Sequence, residues 1–381
     1  MYHFATVLST LLASSLPASL AAPGTPSSPS AQNTAPFTPA GGIGTAANAT
    51  PPVYHPLSDF DFQSMNLALN QEWIELDLFH HALAQFSVEE FEAAGINADD
   101  RFLIEFMADQ EVGHATMLTN ILGPTAAKPC NYTYPFTTVR GFVDFCQKLT
   151  RFGESGVYGF LEHLDSRPSA ELLLQSITTE ARQQMIFRQF EGLFPMPIWF
   201  TPGITQSMAW TLLSPYIAHC PAENPHIVFQ NFPALNITNN PSAIPLINSS
   251  LENSTLPAIT HNRSIPLSKP GFQLDLTWEK PGKITGYDGL YTTNTSAGPA
   301  QFVAWISQLN TTYTPLFNIS ADGTSGSTLQ PGDLIFGNGS APLINGTLFI
   351  AITDNNTFVT PFNMSLLNTH IVAGPAMYQS G

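Results

Sequence analysis

Between residues 59 and 213 apolar side chains recur every three or four positions, the spacing that gathers them on one stripe of an α-helix. The pattern predicts four main helices, at about 59–86, 99–121, 138–164 and 168–192, with a short helix near 203–213. Gly95-Ile96-Asn97, Gly123-Pro124 and Ser166-Arg167-Pro168 punctuate it, each pairing helix-ending with helix-starting residue types. From Gly271 the period changes. Short alternating runs at Phe272–Trp278, Phe302–Leu309, Leu348–Thr353 and Phe358–Met364 are separated by Gly, Asn, Asp and Pro, which predicts antiparallel strands. The expected architecture is an all-α four-helix bundle over residues 55–215, followed by a small all-β, sandwich-like domain over 271–381. Between them, residues 216–270 are rich in Pro, Asn and Ser and read as a linker or wrapping arm.

The N-terminal end reads as routing rather than structure. Residues 4–16 are apolar and run into small residues around Ala18-Ser19-Leu20-Ala21-Ala22, the layout of a cleavable secretory signal peptide over 1–21. Residues 22–54 carry Pro, Ser, Thr and Ala and no charge, so they hold no material for a core and read as a disordered linker. No apolar run reaches the roughly 20 residues of a membrane-spanning helix.

Charge then narrows the field. Twelve Lys plus Arg against 28 Asp plus Glu give −16, which argues against unaided binding to nucleic acid or anionic lipid. Charged residues make up only 10% of the chain, so solubility must come from elsewhere. Asn-X-Ser/Thr sequons supply a source, because glycans are bulky and hydrophilic. They occur at Asn48 and Asn131, then at Asn236, Asn248, Asn253, Asn262, Asn294, Asn310, Asn318, Asn338, Asn345, Asn355 and Asn363. Their crowding after Cys220 predicts a secreted glycoprotein, extracellular or held in the cell wall with wall components as partners. Among the three cysteines, Cys130 can pair with Cys146, or Cys220 with either, leaving one thiol over.

The candidate chemistry lies on the helices. Glu111 and His114 are three positions apart and project from one helical face. Glu72, Glu154 and Glu180 each fall in or beside the apolar stripe of a different helix, and Glu75 is a second candidate beside Glu72. Four buried carboxylates are costly unless something positive sits among them. Divalent metal ions meet that need, accepting carboxylate and imidazole together. His80, His81 and His163 read as helix-end or surface residues, Tyr158 as a core tyrosine, and Phe102, Phe106, Phe187 and Phe190 as core packing.

In its pattern of Glu72, Glu111-x-x-His114, Glu154 and Glu180, the chain resembles the ferritin-like four-helix bundle of di-iron and di-manganese carboxylate proteins. Four segments bring it closer to the Rds-type ferritin-like group of fungal secreted stress-response and sexual-development proteins, related to plant desiccation-related proteins. They are LALNQEWIELDLFHHAL, FMADQEVGHATMLTNILG, FGESGVYGFLEHL and ITTEARQQMIFRQFEGLFP. The resemblance implies iron or manganese on Glu72, Glu111, His114, Glu154 and Glu180. The fourth helix departs from it, reading Glu180-Ala181-Arg182-Gln183 where the family has Glu-x-x-His. Gln183 is a weaker ligand, and Arg182 is placed to neutralise an acid, so two ions, one ion, or none remain open. With metal, the resemblance implies oxidase or peroxide-consuming chemistry. The alternative is a non-catalytic cell-wall or surface glycoprotein whose bundle has lost its metal.

Overall fold

The computed structural model describes residues 54–244 and 266–381. The expected signal peptide, nearly all of the linker after it, and the sequons at Asn48, Asn248, Asn253 and Asn262 lie outside the described residues. Helix α1 (Asp59–Gln85) opens on the N-cap Ser58, whose hydroxyl accepts from the Asp61 amide. A short α2 (Val88–Ala93), absent from the sequence expectation, starts at a Ser87/Glu90 capping box. Helix α3 (Ala98–Leu122) starts at a second capping box, Asn97/Asp100, and gives way at Gly123, whose φ is 63°. Helices α4 (Val139–Leu161) and α5 (Arg167–Phe190) follow, the latter with Pro168 in its first turn, and α6 (Gln206–Leu213) ends the helical part. Helix α1 packs against α3, α4 against α5, and the α1–α4 contact joins the two pairs into a bundle.

Two antiparallel sheets follow. The four-stranded sheet has the order β11-β10-β7-β8, built from β7 (Phe302–Ser307), β8 (Asn310–Pro315), β10 (Thr347–Thr353) and β11 (Ile371–Gln379). The three-stranded sheet, β3-β4-β9, is built from β3 (Leu235–Ile237), β4 (Gln273–Trp278) and β9 (Ser325–Leu329). Their facing side chains, Leu274, Leu276 and Trp278 on one and Val303, Trp305 and Ile350 on the other, form a sandwich core. Two further short pairs occur among the described residues: β1 (Asn131–Tyr132) with β2 (Ile217–His219), and β5 (Ile284–Thr285) with β6 (Tyr291–Thr292).

The four-stranded sheet is buried on both faces. Alternate residues Ala304, Ile306, Phe349 and Ala351 turn away from the sandwich core and share a cluster with Met208, Trp210 and Leu213 of the helical part. This explains why every residue of β10 is buried and why its sequence, TLFIAIT, is apolar without alternation. The core therefore continues from bundle to sheet, and Tyr54–Gly381 forms one unit by its contacts.

Several expectations are corrected. The run Phe358–Met364 is not a strand. A 3-10 helix, Pro361–His370, begins inside it, with Asn363 capping Thr360. The run expected as Phe302–Leu309 stops at Ser307, because Gln308 (φ 54°) and Leu309 make the two-residue turn into β8. Phe102 and Phe106 are 61% and 50% exposed rather than core, lying opposite the buried face of Ile104, Met107, Ala108 and Glu111. Phe187 and Phe190 are buried. The disulfide joins Cys130 to Cys220 beside the β1–β2 pair, leaving Cys146 as a buried thiol, its pKa raised mainly by burial.

Candidate metal centre

The bundle brings five potential ligands together from three helices. Glu72 and Glu75 come from α1, Glu111 and His114 from α3, and Glu180 from α5. Two overlapping sets have ligand atoms within 4.8 Å of one another: Glu72, His114 and Glu180, and Glu72, Glu75 and Glu111. Glu72 belongs to both sets. All four glutamates are at most 1% exposed, whereas the His114 side chain retains 13%. His114 Nδ1 lies 2.9 Å from Glu111 and 3.2 Å from Glu72.

Burial is the main reason that Glu72, Glu75 and Glu180 are held well above the ordinary carboxylate range, and charge from neighbouring acids adds to it. For His114 burial pulls the pKa down. The hydrogen bond and charge of Glu111, with Glu180 and Glu75, outweigh it and leave the imidazole more basic than usual. Without a cation, burial and the mutual repulsion of the acids favour the protonated carboxyl forms. Glu75 Oε2, Glu180 Oε2 and Gln183 Oε1 are buried oxygen atoms without a hydrogen-bond partner. Orphaned acceptors around a carboxylate–imidazole group are what a divalent ion would satisfy, so the donor set fits iron or manganese.

The structure separates the remaining expected residues from this group. The Glu154 carboxylate is held by Arg151 Nη1 at 2.7 Å and by the Thr201 hydroxyl at 3.0 Å. Both Arg151 and Glu154 are buried, so this is an internal ion pair. Arg182, expected as the neutralising cation, is turned outward to Thr178 O and the Thr179 hydroxyl. Gln183 does reach the cluster, but as a donor: its Nε2 lies 2.5 Å from Glu111 Oε1 and 3.2 Å from Gln110. His80 and His81 are exposed, as helix-end residues should be. Tyr158 is half-buried and raised by burial, with the charges of Glu154 and Glu180 adding to the shift.

Three supporting residues escaped sequence reasoning. Gln71 Nε2 donates to Glu75 Oε1 at 2.8 Å and to Leu149 O, fixing the second α1 carboxylate. It reaches α4 because residue 153 is glycine, since a Cβ there would stand 2.7 Å from the Gln71 amide nitrogen. The Arg151 role had a signal, because it lies three positions before Glu154 on one helical face. Thr201 had none, because it sits in the irregular segment between α5 and α6.

A family model described as a ferritin-like domain matches residues 60–193, the segment that contains all five potential ligands. Protein rds1 of Schizosaccharomyces pombe is 53% identical over 351 residues, an alignment covering 91% of this chain and 86% of that protein. With the bundle, the acidic cluster and the C-terminal sheets in place, the chain belongs to the Rds-type ferritin-like family.

Proposed function

We propose that this chain is a secreted ferritin-like metalloprotein that holds iron or manganese on Glu72, Glu75, Glu111, His114 and Glu180. The observation that carries the reading is the pair of ligand sets sharing Glu72 in the buried bundle core. Charge supports two ions rather than one. Arg151 offsets Glu154, leaving four carboxylates that two divalent cations would balance. When bound, such metals supply electrons to dioxygen or peroxide. The protein's part is to fix the ligands and exclude water. Gln71 and Gln183 hold Glu75 and Glu111 by hydrogen bonds, and His114, the most exposed ligand, marks the side from which small molecules arrive. Glu154 supports the site from outside as the partner of Arg151. The N-terminal apolar segment and the sequons support an extracellular or cell-wall location, and membership of the Rds-type family supports a role in stress response or sexual development.

A second reading draws on the Glu154–Arg151 pair and on Gln183 acting as a donor. In it, the bundle is a metal-free scaffold and the protein a structural surface glycoprotein. Elemental analysis of the secreted protein, purified without chelators or a histidine tag, decides between the two. The metal reading expects about two irons or manganeses per chain, lost in Glu111→Ala and His114→Ala. Absence of metal, with no rise in Tm on adding either ion, would leave the scaffold reading standing.

A further inference from the structure

An aromatic patch lies on the surface where the segment after α5 meets the loop between β9 and β10. Trp199 is 56% exposed, Phe200 37% and Phe336 39%, and the Phe336 ring centroid stands 6.2 Å from Trp199 and 6.5 Å from Phe200. Met196 and Leu334, also exposed, belong to the same two segments. Clustered exposed apolar side chains on a soluble protein call for a covering partner. Phe336 opens a turn closed by the Gly339 amide on the Phe336 carbonyl at 2.8 Å, and Asn338 of the sequon Asn338-Gly339-Ser340 is exposed within that turn. Two peptide units separate Asn338 from Phe336, so their Cα atoms are within about 7 Å.

We propose that Asn338 carries an N-linked glycan whose first sugars lie across Trp199, Phe200 and Phe336. A pyranose presents a face of C–H groups that matches an aromatic face, while its hydroxyls stay in water. The chain is acidic overall, and a neutral saccharide meets no charge penalty on this surface. The neighbouring sequon shows the contrast. Asn345 faces the same segment, but its Nδ2 donates to Pro197 O at 2.7 Å and its sequon threonine, Thr347, is buried with its hydroxyl on Gln147. That packing leaves less room for a sugar on Asn345 than the exposed turn leaves on Asn338, so modification is expected at Asn338 and not at Asn345.

This assignment rests on the secreted reading and is tested separately from it. The full-length protein from its secreting host is deglycosylated enzymatically in 18O-water, and the peptides are mapped by mass spectrometry. Label is expected at Asn338 and not at Asn345. Label at Asn345, or none at Asn338 while exposed sequons such as Asn355 are labelled, overturns the proposal. No label at any sequon overturns both it and the secreted reading. Trp199 is the most exposed of the five tryptophans, Trp73 being half-buried and the other three buried, so a change in acrylamide quenching between variants at Asn338 reports on the patch. Asn338→Gln is expected to raise quenching about twofold, by uncovering a ring face, while Asn355→Gln leaves it unchanged. Equal quenching in wild type and Asn338→Gln overturns the covering role. So does quenching that falls only when a soluble β-glucan oligosaccharide is added, which would assign the patch to an external saccharide.

Discussion

Glu75 and Glu154 are both buried carboxylates on bundle helices, yet their partners differ, and the difference sets their roles. Glu75 has one oxygen on Gln71 and one without a partner, whereas both oxygens of Glu154 are engaged by Arg151 and Thr201. Glu75→Gln should weaken iron or manganese binding by about 10- to 100-fold or more, measured by competition with a chelating dye. Glu154→Gln should retain the metal. It should instead lower unfolding stability by about 3–5 kcal/mol, because it leaves the Arg151 charge buried without a partner. Metal loss in Glu154→Gln with none in Glu75→Gln would reverse the two assignments.

The same residues dictate a pH dependence. Glu72, Glu75 and Glu180 have folded pKa values above the ordinary 4.5, so the folded metal-free protein binds more protons than the unfolded chain. The stability they contribute is fully present below pH 4.5 and is lost as pH rises through the folded values. Metal binding must displace those protons and therefore tightens as pH rises. In urea titrations the midpoint of metal-free protein should fall from acid toward neutral pH, and saturating metal should flatten or invert that trend. A metal-free midpoint that rises over this range would mean the carboxylates are ionised and compensated in some other way.

At the scale of elements, close backbone approach holds α4 against the segment leading into α6. Gly159 packs on Ile204 so tightly that an added Cβ would come within 1.7 Å of the Ile204 carbonyl oxygen. Gly159→Ala should destabilise by about 1–3 kcal/mol or more, since the obstruction is backbone and one of the two segments must move. Gly113, on the exposed face of α3, has nothing within 4 Å of its added Cβ. Gly113→Ala should therefore stabilise the metal-free protein by about 0.5–1 kcal/mol through helix propensity alone. Thermal melts of the two variants measure both, and similar shifts would show that α4 can separate from the 203–204 segment.

For the molecule as a whole, the shared core couples helices to sheets, and the disulfide ties the α3–α4 connection to the chain after α6. Trp210 and Met208 lie in one cluster with Ile306, Phe349 and Ala351, so residues 55–215 expressed alone would expose that face of α6. That fragment should bind hydrophobic dye and lack a cooperative melt. A sharp transition would show that the bundle folds without the sheet. Reduction of Cys130–Cys220, which closes a 90-residue separation, should lower stability by about 2–5 kcal/mol, read as a fall in Tm under reducing conditions.

Local patterns placed the main helices to within a few residues, because amphipathic spacing and the punctuation at Asn97 and Ser166 act within one or two turns of chain. They also marked Glu72, Glu111, His114, Glu154 and Glu180 as facing the bundle interior, since the stripe that buries Leu69 or Ile177 buries its carboxylate neighbours too, whereas Gln183 was singled out only by the family resemblance. The tertiary structure decided which of these groups meet. Glu154 was drawn to Arg151 and Thr201, Arg182 was turned to solvent, and Glu75 was brought beside Glu111, outcomes that depend on helix rotation and on an irregular segment with no periodic signal. It also decided that Phe102 and Phe106 face outward and that Cys220 is the partner of Cys130. Periodicity assigns a residue to a face, whereas contact between residues far apart in the chain depends on how those faces are docked.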